Sequence, residues 1–164
     1  MFGFAALPLL ALLYVFLGYA PVATADPPLP METYLANRAL NAHARKEMPK
    51  ASPVQPTEEN LAAGAKLYRD HCAVCHGKPD EPEGELAKGM FPHPPQLLQG
   101  DGVTDDPVGE TYWIVANGIR LTGMPAYRGA LTDVQLWQVS PFLAHANELS
   151  NSARQIVAGP APAH

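Results

Sequence analysis

The chain has 164 residues, a formal net charge of −5 and a pI near 5.6. It carries no run of Lys or Arg, so the electrostatic footprint that nucleic-acid binding requires is missing. Its only two cysteines, Cys72 and Cys75, fall within "CAVCH", which leaves none for a disulfide framework elsewhere. A chain of this length has room for one compact domain of about 100 residues plus attachments.

From Phe2 to Ala25 there is no charged residue, and Leu, Ala, Phe and Tyr dominate. The segment is long enough for export and nearly long enough to span a bilayer. Ala23 and Ala25 are small residues ahead of Asp26, the pattern of a cleavage point, although no Lys or Arg precedes the apolar run. Residues 1–25 therefore read as a signal peptide, with a retained membrane anchor as the alternative. Either way the chain leaves the cytoplasm, and the periplasm is the expected compartment. A buried core helix fits poorly, because Pro8 and Pro21 interrupt the stretch.

Residues 26–56 form an attachment of two parts. "METYLANRALNAHARKEM" places Ala and Leu at near-helical spacing with little contrast between faces, which predicts a weak, exposed helix. "PKASPVQP", with its three prolines, predicts an extended spacer that holds the following domain away from what precedes it.

Residues 57–149 read as the domain. A first helix runs from about Thr57 to His71, with Thr57 as N-cap, Glu58 and Glu59 in the first turn, and Leu61, Ala65, Leu67 and Tyr68 as apolar positions. A second follows from "DDPVGETYWIVANG", with Asp106 as N-cap, Pro107 at the first helical position and Gly118 just past the end. A third starts at "LTDVQLWQV", where Thr132 and Gln135 form a capping box and Leu131 and Leu136 a hydrophobic staple. It runs to about Asn147, and Pro141 predicts a kink or a division into two short pieces. Residues 150–164 read as a disordered tail. No strand alternation stands out, so the fold class is all-α.

The chemistry is concentrated in C-x-x-C-H, here Cys72, Cys75 and His76. Covalent attachment of haem needs two thiols on one short turn for its two vinyl groups, and an imidazole next to them to reach the iron. A redox dithiol would want a βαβ context, and a zinc site a fourth ligand. Neither context is visible, although His71 and His93 are residues of the right type for zinc. One covalently bound haem c is the expected cofactor.

A second axial ligand decides much of the redox behaviour, since a thioether raises the potential relative to a second imidazole. Met124 is the leading candidate, on a loop between two helices with Gly123 before it and Pro125 after it. Met90 and His93 are held in reserve, with Met48 as a candidate ahead of the domain.

The helix ending in "LYRDHCAVCHG", the later "GMP" and the closing "LTDVQLWQVSPFLAHA" together resemble the class I cytochrome c family. The resemblance implies a small helical fold around the haem, with first and last helices crossing near right angles and Gly64 and Tyr68 facing Leu136 and Trp137. It implies that a proline carbonyl, from Pro94 or Pro95, accepts the hydrogen bond of the ligand imidazole. By similarity, Trp113 or Arg120 serves as donor to the haem propionates.

The function these features predict is one-electron transfer between redox partners outside the cytoplasm, by a carrier rather than an enzyme. One alternative is an electron-entry haem subunit of a membrane respiratory complex, anchored by the apolar start. Another is a haem enzyme or gas-binding module whose Met ligand is displaceable. Between Lys78 and Glu110 eight acidic residues face two basic ones, a pattern suited to a partner with a basic patch, or simply to a solvated loop.

Overall fold

A computed structural model describes residues 3–100 and 102–160. The described residues form eight α-helices and two 3₁₀ turns, with no strand among them, so the all-α expectation holds. The helices are α1 (Gly3–Phe16), α2 (Glu32–Glu47), α3 (Glu58–His71), α4 (Ala73–His76), α5 (Glu85–Lys88), α6 (Val108–Asn117), α7 (Asp133–Ala144) and α8 (Asn151–Ala158).

The crossing of α3 and α7 organises the core. The Thr57 hydroxyl accepts from the Asn60 amide at 3.3 Å and starts α3 where the sequence predicts. At α7 the predicted capping box is complete: Thr132 Oγ1 accepts from the Gln135 amide at 3.3 Å, and Gln135 Oε1 accepts from the Thr132 amide at 2.8 Å. The two backbones meet at Gly64, where a Cβ would overlap the Gln138 carbonyl oxygen and the Phe142 Cβ. Tyr68, fully buried, meets the Phe142 ring at 5.7 Å between centroids. The facing residues are thus Gln138 and Phe142, while Trp137 stacks on Tyr112 of α6 at 4.0 Å. Trp137 is one residue, about 100° of helix, away from Gln138, and that rotation turns it toward α6.

Pro141 does not divide α7, which continues to Ala144 before a 3₁₀ turn at Ala146–Glu148. The proline is buried and cannot donate to the Trp137 carbonyl. His145 then closes the helix, its backbone N–H reaching the Pro141 carbonyl at 3.1 Å and its Nδ1 lying 2.7 Å from the same oxygen.

Three local expectations change. The N-cap of α6 is Pro107, not Asp106; its extended ψ of 130° keeps it outside the helix while its carbonyl takes the Glu110 amide at 2.7 Å. Gly118 ends α6 at φ 66°, as expected.

The region 150–164, expected to be disordered, contains α8. Ser150 caps it by accepting from the Ala153 amide, Ala153 and Val157 are buried in the shared core, and the Ser150 and Ser152 hydroxyls donate to Glu58 Oε1 at 2.8 and 2.7 Å. Residues 161–164 of that region lie outside the described residues.

Residues 26–56 do not hold the domain at a distance. Although most of α2 is exposed, Ala44 is fully buried and Arg45 pairs with Glu110 at 2.9 Å and with Asp106 at 3.6 Å. The first proline of the supposed spacer, Pro49, presses its carbonyl against Gly109 of α6, where a Cβ would overlap it. The segment bends repeatedly between 48 and 54, and Ser52 and Val54 hydrogen-bond each other across one of these bends. Pro8 lies within α1, where Leu7, Leu9, Leu10, Leu12, Leu13 and Phe16 are exposed. Among the described residues no helix is long and apolar enough to cross a membrane. Met1 and Phe2, at the head of the apolar segment, lie outside them.

Candidate haem site

The end of α3 delivers the motif. Cys72 closes α3 by donating its backbone N–H to the Tyr68 carbonyl at 2.8 Å, and its own carbonyl accepts from the amides of Cys75 (3.1 Å) and His76 (2.9 Å). One residue therefore ends one helix and begins the next turn, α4, which sets both thiols and the imidazole within a single turn. Gly77, at φ 73°, lets the chain leave that turn. The Tyr68 hydroxyl reaches the Gly77 carbonyl at 2.7 Å and the His76 carbonyl at 3.0 Å, tying the turn to the floor of the core. Tyr127 ties its other end by donating to the His71 carbonyl at 2.7 Å.

His76 is held by its Nδ1, 2.8 Å from the Pro95 carbonyl oxygen. A carbonyl only accepts, so Nδ1 carries the proton and the lone pair of Nε2 remains available to a metal. Burial lowers the imidazole pKa, with the Pro95 bond opposing it, and this favours the neutral ring that a metal needs. Of the two prolines expected at this point, Pro95 supplies the carbonyl, while Pro94 is buried beside it.

Cys72 and Cys75 are unpaired. Burial, with the neighbouring Cys75, pushes the Cys72 thiol up to about 12. A working redox dithiol needs a depressed thiol pKa, so the local environment argues against that alternative. A zinc site also lacks partners. Among the described residues no three His, Cys, Asp or Glu side chains converge on a common ion position, and His93 pairs with Glu83 instead.

The loop carrying Met124 packs back on the end of α6. The Met124 carbonyl accepts from the Ile119 amide at 3.1 Å, its amide donates to Thr122 Oγ1 at 3.1 Å, and its side chain packs partly buried against the core cluster. Gly118 makes this approach possible, since a Cβ there would meet the Met124, Pro125 and Ala126 backbone. Met90 reaches the same loop, its methyl lying where a Cβ on Gly123 would be. Met48 ends α2. Trp113 and Arg120 line one cavity beyond the end of α6, together with Leu40 and His43 from α2.

Sequence reasoning missed three contributors. The Tyr68 and Tyr127 hydroxyls anchor the motif; Tyr68 reads in the sequence as an apolar helix position only. Gln96 lies against Gly77 with its amide buried and without a hydrogen-bond partner among the described residues. Position gives a signal for Tyr68, one helical turn before Cys72; Tyr127 and Gln96 are brought in only by tertiary folding.

The donor set fits haem: two unpaired thiols and a neutral imidazole on one turn, the imidazole oriented by a carbonyl, with a methionine loop folded onto the same core. These features define a cytochrome c domain. The chain belongs to the family described as cytochrome C oxidase, cbb3-type, subunit III, which matches residues 59–143. It is 29% identical over 110 residues to the thiosulfate dehydrogenase of Stutzerimonas stutzeri (strain A1501), a match covering 64% of this chain and 34% of that protein. In structure it is similar to a chain of the reducing HAO-like protein complex of Kuenenia stuttgartiensis, at a TM-score of 0.50 and 23% identity, over 60% of this chain and 48% of the other. The second likeness bears on fold alone. The chain thus spans about a third of the curated relative and about half of the structural one. Electron transfer by a haem-bearing cytochrome c domain fits the family.

Proposed function

We propose that the chain carries one haem c, attached through Cys72 and Cys75 and ligated by His76 and Met124, and passes single electrons between redox partners outside the cytoplasm. The observation that carries this reading is the 2.8 Å contact of His76 Nδ1 with the Pro95 carbonyl, because it fixes the tautomer and leaves the Nε2 lone pair free for a metal. When bound, the haem supplies a one-electron ferric–ferrous couple. The chain's residues orient the imidazole, exclude water with the α3–α7 core and present the thioether of Met124. The domain is taken as residues 57–149, with α2 and α8 docked on it and residues 1–25 directing export or anchoring. Eight acidic residues between Lys78 and Glu110 suit a redox partner with a basic docking patch, and Asp101 among them lies outside the described residues.

A second reading, favoured by the match to a thiosulfate dehydrogenase over a third of its length, makes the chain the haem domain of a larger redox enzyme. Intact-mass measurement of the chain produced in a host with c-type haem maturation tests attachment. The expected mass gain is one haem, abolished when Cys72 and Cys75 are both replaced by Ala. A chain that keeps its apoprotein mass refutes the reading. A chain that copurifies with, and is required by, a partner oxidising an inorganic substrate supports the second.

A further inference from the structure

Helix α2 is held on the domain by one side and leaves the other bare. Ala44 is fully buried, Leu40 is half-buried, and the His43 ring stands edge-on to Trp113 of α6 at 5.3 Å. With 3.6 residues per turn, the side of the helix opposite Leu40 and Ala44 carries Tyr34, Leu35, Arg38, Ala42 and Lys46. All five are exposed, Tyr34 at 63% and Leu35 at 56%. Both acidic residues of α2, Glu32 and Glu47, fall outside this strip. The strip therefore combines two large apolar side chains with two cations and no carboxylate.

Its charge runs against that of the chain. The net charge is −5, yet residues 27–50 hold four basic residues, Arg38, Arg45, Lys46 and Lys50, and two acidic ones, Glu32 and Glu47. Arg45 is turned to Glu110 and Asp106, and Lys46 makes only an exposed contact with Glu47 at 3.7 Å. Among the described residues no ion pair engages Arg38 or Lys50. The strip also follows directly on exposed apolar residues: Leu29 and Met31 stand just ahead of it, and Leu17, Tyr19 and Val22 before them. The turn between is braced, with the Asp26 carboxylate accepting from the Val22 and Ala23 amides at 3.0 Å and the Glu32 carboxylate from the Leu29 amide at 2.7 Å. Apolar and basic side chains on one helix face suit the boundary of an anionic bilayer, where the former enter below the headgroups and the latter meet phosphates. A tyrosine is at home at that depth.

We infer that the outward strip of α2 lies in the headgroup layer of an anionic bilayer and docks the domain there. Because Arg45 with Glu110, and Pro49 against Gly109, fix α2 to α6, the bilayer holds the domain in one orientation. This contact is separate from anchoring by residues 1–25, since it needs only a helix packed on the domain. It does not rest on the haem ligands.

The test follows amide exchange across residues 32–47 in the haem-loaded chain as its host matures it. Vesicles of phosphatidylcholine alone, and of phosphatidylcholine mixed with phosphatidylglycerol, are titrated at low and high salt. The variants are Leu35→Gln, Arg38→Gln and, as control, Lys66→Gln, which removes the same charge from an exposed position of α3. All three positions are exposed and Gln is a good helix former, so the fold tolerates the changes. Exchange should slow on the mixed vesicles and not on phosphatidylcholine, and the slowing should fade in high salt. Arg38→Gln should raise the lipid concentration for half-maximal slowing about fivefold, the effect of one basic residue near an anionic surface. Leu35→Gln should raise it too, and Lys66→Gln should leave it at the wild-type value. Exchange indifferent to the mixed vesicles overturns the inference, as does equal slowing on phosphatidylcholine, which assigns the contact to residues 1–25 alone. An equal response to Lys66→Gln and Arg38→Gln overturns it by making the attraction diffuse. Slowing that needs no lipid, grows with protein concentration and disappears in Leu35→Gln assigns the strip to a second copy of the chain and overturns it as well.

Discussion

Replacing Tyr68 with Phe removes one oxygen from the fully buried floor of the motif. The hydroxyl has a single proton, shared between the Gly77 carbonyl at 2.7 Å and the His76 carbonyl at 3.0 Å. The ring stays, so no apolar volume is lost and the cost is that of one buried hydrogen bond with its acceptor stranded, about 1–3 kcal/mol. For a domain near 100 residues each kcal/mol lowers the thermal midpoint by about 4–8 °C. Urea unfolding followed by Trp fluorescence and by haem absorbance measures the difference, with an unchanged slope expected because the surface exposed on unfolding is the same. The His76–Gly77 segment should also show faster amide exchange. A Tyr68→Phe chain as stable as wild type would refute the argument that this hydroxyl ties the motif to the core.

Gly64→Ala forces a methyl into the Gln138 carbonyl and Phe142, and overpacking there should cost about 1–3 kcal/mol in urea unfolding. Arg45→Met leaves the Glu110 carboxylate without its closest partner; the roughly 3–5 kcal/mol of a broken buried pair is an upper bound, and about 1–2 kcal/mol is expected because the Arg45 side chain is 56% exposed. Adding Glu110→Gln to Arg45→Met should recover part of that loss, as a double-mutant cycle will register. Hydrogen bonds from Ser152 and Ser150 hold the Glu58 carboxyl below its ordinary range. A depressed folded pKa means stabilisation that is full above the unfolded value and disappears as pH falls through the folded one. Amide protection in α8 should therefore weaken on acidification through that range, and Glu58→Gln should remove the dependence.

Much of the fold was legible because its signals are local. Thr57 with Asn60, and Thr132 with Gln135, cap helices through contacts within four residues, and C-x-x-C-H needs only one turn. What escaped depends on contacts remote in sequence. The polar, Pro-ending composition of 150–164 hides the i, i+3, i+4 set of Ala153, Ile156 and Val157, whose apolar face acquires meaning only against α3. The low facial contrast of α2 concealed a helix held by one buried alanine and one ion pair with Glu110, 65 positions away. The sequence alone could not choose between Pro94 and Pro95, since that choice turns on which carbonyl the loop aims at His76. Likewise Trp113 and Arg120 line one cavity, and His43 joins them only because α2 folds back.

The central claim is a six-coordinate haem held between His76 and Met124, and the absorption spectrum of the purified, haem-loaded chain tests it most directly. Oxidised and reduced spectra would be recorded with and without carbon monoxide, for wild type, Met124→Ala and Met124→His. The account predicts a sulfur-to-iron charge-transfer band in oxidised wild type and no carbon monoxide shift on reduction. It predicts loss of the band in both variants, carbon monoxide binding in Met124→Ala, and a lowered potential in Met124→His. Ready carbon monoxide binding by wild type, or a sulfur band that survives Met124→Ala, would contradict it.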